Sequence, residues 1–95
     1  MILVREHFIA KPGQASKLAN LMKEAMKAVG NTRCRIMTDV TGSFNNVVMV
    51  TEFDDFRSME ARMEEYGKNE VLKEKMKGYT DLWITGGRDI YRVVS

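Results

Sequence analysis

The hydrophobic positions change period along the chain in an order that reads strand, helix, strand, strand, helix, strand. The pattern is firmest from Val47 to Phe53, rich in β-branched and aromatic residues and apolar on both parities. It predicts a strand buried on two sides and central in a sheet. Asp54 and Asp55 end that strand, and Ser58 stands where it can cap a helix whose first turn carries Glu60. Ahead of this junction, Ile2 to Ala10 alternates Ile2, Val4, Glu6 and Phe8 with Leu3, Arg5, His7 and Ile9, a strand with both faces partly apolar. Lys11-Pro12-Gly13 stops it, because proline removes a ladder donor and glycine frees the backbone. From Gln14 to Val29 the apolar residues Ala15, Leu18, Met22, Ala25, Met26 and Val29 recur at helical steps, and Gly30-Asn31 supplies the stop.

The period then returns to two. Arg33, Arg35, Met37 and Asp39 alternate with Cys34, Ile36, Thr38 and Val40, the mark of an edge strand with one wet face. Gly42-Ser43 and Asn45-Asn46 predict a hairpin loop into the central strand. The second helix, from about Ser58, carries Met59, Met63 and Tyr66; Gly67 interrupts it before Val71, Leu72, Met76 and Tyr79 continue the stripe, so a break or a short extra helix is expected. Trp83-Ile84 reads as an apolar anchor, and Gly86-Gly87 as a turn into a last strand near Asp89 to Val94.

This order is the α+β, ferredoxin-like split βαβ plan (βαββαβ) over residues 1–95 as one domain. Right-handed crossovers place both helices on one side of a four-stranded antiparallel sheet, with the first and third strands in its middle. Two helices cover one face only. Yet the central strand is apolar on both, with Val48 and Val50 on one parity and Val47, Met49 and Phe53 on the other. The uncovered set predicts a second subunit stacked sheet to sheet, a homodimer with a two-fold interface.

Composition narrows the function classes. Charged residues make up 29% of the 95-residue chain, and Lys+Arg number 15 against 13 Asp+Glu, with the cations scattered among glutamates and no aromatic interleaving. No nucleic-acid face is expected from that. One cysteine, Cys34, leaves no intrachain disulfide and reads as a small apolar strand residue; with no signal-like region or long apolar run, a cytoplasmic chain that does not enter a membrane is expected. His7 is the only histidine, and no second histidine or cysteine stands at ligand spacing, so neither a metal nor a cofactor is expected.

The opening strand ending in Lys11-Pro12-Gly13, the helix after it, and the pass Thr51-Glu52-Phe53-Asp54-Asp55-Phe56-Arg57-Ser58-Met59-Glu60 resemble the dimeric α/β-barrel superfamily, in its NIPSNAP-like and antibiotic-biosynthesis-monooxygenase-like branches. The resemblance implies two ferredoxin-like subunits around a shared barrel. In the monooxygenase-like branch an aromatic residue, usually tryptophan, ends the third strand, and an asparagine stands four residues earlier; here those places hold Phe53 and Met49. If Phe53 faces the barrel interior, as the resemblance implies, Met49 and Thr51 face it too, while Val48, Val50 and Glu52 point at the helices.

On the first strand the matching choice lies between Arg5 with His7 and Glu6 with Phe8. We assign Arg5 and His7 to the interior, since Ile2, Val4 and Phe8 suit helix packing. The resulting reading is a homodimer that holds a small apolar or aromatic molecule between sheet and second helix. Met49, Thr51, Phe53, Tyr66 and Trp83 are its candidate ligand-binding residues. The alternative is a cofactor-independent monooxygenase or isomerase of an aromatic or enolisable substrate, in which His7 removes a proton and Arg5 holds the oxyanion. A structural dimer without a ligand is the third. Glu6 and Glu52 are also expected to approach each other or to share Arg92, and Tyr91 is a further candidate for the cleft.

Overall fold

The computed structural model describes residues 1–95. Its elements are β1 (Ile2–Ala10), α1 (Ala15–Ala28), β2 (Cys34–Thr38), β3 (Asn46–Phe53), α2 (Phe56–Lys68), α3 (Glu70–Lys75), a single 3-10 turn at Tyr79–Asp81, and β4 (Trp83–Arg92). The strands form one antiparallel sheet in the order β2-β3-β1-β4, so β1 and β3 are central and the ferredoxin-like α+β plan holds. No helix is long and apolar enough to cross a membrane.

Register decides which residues share a face. Ile2 pairs with Phe53, Val4 with Thr51, Glu6 with Met49 and Phe8 with Val47, and the run is uninterrupted. Ile2, Val4, Ala10, Val47, Thr51 and Phe53 are buried beneath the helices. Leu3, Arg5 and His7 fall on the opposite, helix-free face with Val48, Val50 and Glu52. The parity inferred for the third strand from Phe53 is therefore reversed: Met49, Thr51 and Phe53 face the helices. Both sets are apolar enough to pack, and the pairing with β1 chooses between them.

Three local expectations are also corrected. The N-cap of α2 is Asp55, not Ser58; Ser58 occupies the third helical position and completes a reciprocal box. The Asp55 carboxylate accepts from the Ser58 backbone N–H at 2.8 Å and from its hydroxyl at 2.6 Å. The expected break and short extra helix are present, but not at Gly67: the helix runs through Gly67 and breaks at Asn69, whose side chain accepts from the Leu72 N–H and starts α3. Gly86 and Gly87 lie inside β4, which begins at Trp83. They are needed there because β1 lays an aromatic ring against each. A Cβ on Gly86 would stand 2.5 Å from the His7 carbonyl oxygen and 2.9 Å from Phe8 Cδ1, and one on Gly87 would stand 3.0 Å from the His7 ring.

The core is in two pieces. Ala10, Leu18, Met22, Val47 and Leu82 form one cluster, and Ile2, Val4, Phe53 and Met59 the other. Only 12 of 95 residues are buried, so the helices leave space between the two clusters.

Three tests follow from these local arrangements. Gly67→Ala meets open space on α2 and is expected to raise stability by about 0.4–1 kcal/mol. Gly86→Ala is expected to lower it by about 1–3 kcal/mol, both read from urea denaturation. Asp55→Ala is expected to lower the melting temperature at neutral pH. The Ser58 hydroxyl, then its N–H, holds the Asp55 carboxyl below the usual carboxylate range. That stabilisation is fully present above the unfolded-state pKa and disappears as pH falls through the lower folded value. The gap in melting temperature between parent and variant should therefore close on strong acidification.

Candidate functional site

Between the two core clusters the helix side of the sheet opens into a cleft of about 570 Å³. Its floor is β1 and β3, through Val4, Glu6, Phe8, Met49, Thr51 and Phe53; α1 contributes Met22 and Met26, and α2 and α3 close the far side. Met63 and Tyr66 project from α2, and Leu72 from α3, beside Met76 and Tyr79. Eleven of the 17 lining residues are hydrophobic and five of those are methionines, whose flexible thioethers adapt to an irregular guest.

The few polar groups are unevenly spread. Glu6 lies on the otherwise apolar parity of β1 and is matched by Arg88, directly across the β1–β4 ladder, at 3.2 Å. Arg62 Nη1 donates to the Tyr66 hydroxyl one turn along α2 at 3.4 Å, and this contact, with the nearby Glu65 carboxylate, raises the guanidinium pKa further. Lys73 completes the lining charges.

The open face carries a separate cluster. Asp89 on β4 accepts from Arg5 Nη1 at 2.9 Å and lies 3.4 Å from His7 Nε2. The β1–β4 register builds it, setting Arg5 opposite Asp89 and His7 opposite Gly87. Tyr91, paired with Leu3, belongs to this face and is half exposed.

The structure thus brings Met49, Thr51, Phe53 and Tyr66 together in one cleft, and it separates them from Arg5 and His7 by the thickness of the sheet. Trp83 does not line the cleft. It stacks behind two rings that do, 5.4 Å from Phe8 and 6.3 Å from Tyr79, with its buried indole N–H lacking an acceptor. Glu6 and Glu52 lie on opposite faces and do not meet; Arg88, not Arg92, partners Glu6, and Arg92 covers the Phe56 ring at 5.5 Å. The residues missed from the sequence are Arg62, Lys73 and Arg88. One signal pointed to Arg88 alone: Glu6 is the single charge on an apolar parity and calls for a cation across the ladder, whereas nothing singled out Arg62 or Lys73.

A second groove, of about 600 Å³, runs between α1 and the edge strand β2. It is mostly polar, with Lys23, Lys27 and Asn31 along it. Cys34 lies at its base, its thiol donating to the Asn31 carbonyl at 3.7 Å. Burial pushes that thiol up from its ordinary pKa, so at neutral pH it stays protonated and a poor nucleophile.

The same architecture occurs in solved structures. An uncharacterised NIPSNAP domain protein from Burkholderia xenovorans superposes with a TM-score of 0.84 at 12% identity, covering 100% of this chain and 96% of its own. A NIPSNAP-like domain protein from the same organism gives 0.85 at 16%, covering 99% and 85%. The chain has the NIPSNAP-like fold. A protein provisionally described as an antibiotic biosynthesis monooxygenase, from Chloroflexus aurantiacus, superposes on the same NIPSNAP-like frame at 0.73 and 14% identity, covering 99% and 93%. At these identities the likeness is one of fold. No protein-family model matches the chain, and no curated protein matches it.

Proposed function

We propose that this NIPSNAP-like chain binds a small, largely apolar molecule in the cleft between its sheet and α2 and α3, acting as a cytoplasmic homodimer. The observation that carries the reading is the divided core: apolar side chains that a domain this size needs for its own stability instead surround about 570 Å³ of space. The structural-dimer alternative gives that space no use. The oxygenase or isomerase alternative rests on His7 and Arg5, which engage Asp89 across the sheet from the cleft, so binding is the better-supported reading.

The homodimer is supported by the open face. Leu3, Val48 and Val50 there have no covering element, and Met37 and Tyr91 are 44% and 50% exposed. Arg5 on this face is already paired with Asp89, with His7 beside the same carboxylate, which lowers the penalty for burying that cluster against a second copy; Glu52 and Arg35 lie on the same face without an ion pair.

A neutral apolar dye such as Nile red should bind saturably, and Met63→Trp, which fills the cleft from α2, should weaken it by about tenfold, or roughly 1.4 kcal/mol. Unsaturable binding, or full affinity in the variant, would remove the cleft from the reading. Sedimentation equilibrium should give twice the mass of one chain, reduced to a single mass in Val50→Glu. A parent chain that stays monomeric at micromolar concentration would end the homodimer reading.

A further inference from the structure

The cleft's polar groups sort by depth and by sign, and this goes beyond apolar binding. Its depth is largely buried: Val4 on the floor and Met22 on α1 are 3% and 2% exposed, and Thr51 and Phe53 are also buried. Its cations stand at the wet rim, where the side chains of Arg62, Lys73 and Arg88 are 42%, 56% and 52% exposed. Glu6 is the only carboxylate lining the cleft, and Arg88 already neutralises it. Lys73 has its one partner outside the lining, Glu70 at 3.5 Å, and Arg62 is shared between Glu65 outside at 3.7 Å and the neutral Tyr66 hydroxyl within the cleft at 3.4 Å, so neither cation meets a carboxylate of the lining. The opening is therefore a cationic collar over an apolar well.

We propose that the natural ligand is a monoanionic amphiphile, a free small molecule whose anionic head rests between Arg62 and Lys73 while a flexible apolar chain lies among the methionines below. This rests on the cleft being a binding site and adds the ligand's charge and orientation. A neutral guest would leave the collar unused. A cationic one would meet three like charges against one paired carboxylate. A headgroup placed at the rim also keeps much of its hydration, so binding strips water chiefly from the tail, the part the floor is built to receive. Five methionines favour an unbranched, conformationally loose chain over a rigid one, because each thioether can rotate to follow it.

The test compares ligands of one tail length and three charges: decanoate, decanol and decyltrimethylammonium, titrated calorimetrically below micelle-forming concentrations. Decanoate should bind about tenfold more tightly than decanol, as expected for a charge-assisted contact at a half-exposed rim, with the cation weakest. Dodecanoate should gain roughly fourfold per added methylene over decanoate. The double variant Arg62→Gln, Lys73→Gln should reduce the preference for decanoate over decanol to about unity, the ratio being the readout at whatever affinity decanol then shows. Arg88 is kept, since its loss would strand the Glu6 charge and add a repulsion of its own. Both substituted side chains are half exposed, and the decanol titration itself reports whether the variant is folded. Equal affinity for decanoate and decanol, or an unchanged preference in the variant, would overturn the anionic-head proposal and leave apolar binding standing. Failure of all three ligands to bind would overturn both.

Discussion

The ladder between β1 and β3 is the constraint on which the molecule depends. Side chains alternate across a pleated strand, so the pairing of Glu6 with Met49 and His7 with Val48 distributes every residue of both strands between two unlike environments. A slip of one residue would carry Arg5 and His7 beneath the helices and turn Val4 and Phe8 outward. The penalty for burying an unpartnered guanidinium, added to the loss of the apolar contacts of Ile2, Val4, Val47 and Phe53, excludes that alternative. A second register, that of β1 with β4, sets Arg88 across from Glu6 on one face and Asp89 across from Arg5 on the other. That register therefore builds both charged clusters of the sheet and keeps them apart.

Helix packing then determines the cleft. α1 lays Leu18, Met22 and Met26 against the sheet, while α2 anchors chiefly through Met59 and α3 buries no residue at all. The break at Asn69 redirects the chain before a second helix face can be seated on the sheet. The unfilled interval between the two clusters is the direct result, and the methionines around it come from α1, α2, β3 and the residue that ends α3.

The element order was legible because the hydrophobic period switches cleanly between two and 3.6, and the strand order followed from the connections. The face assignment of β3 was not legible, because Val47 and Met49 are as apolar as Val48 and Val50; only pairing with β1, whose parities differ in charge, separates them. Gly86-Gly87 carries the local signature of a turn, yet it is strand, because the Phe8 and His7 rings need flat backbone beneath them and only tertiary contact reveals that. Asp55 and Ser58 are both good caps, and the helix starts from the earlier one by using the other in return. Of the candidate site, the residues from one strand and one helix were readable by type. Arg62 and Lys73 at the rim were not, since they look like ordinary solvated positions until the cleft shows where they stand.

The divided core also bears on how this protein responds to temperature. Heat capacity rises on unfolding in proportion to the apolar surface newly wetted, and a chain with 12 of its 95 residues buried has comparatively little of it to release. For a single copy of the chain the free-energy curve is accordingly expected to be broad and shallow, with weak dependence on warming or chilling around the optimum. Filling the interval with a guest would sharpen that curve, because the occupant supplies the hydrophobic contact that the polypeptide leaves out.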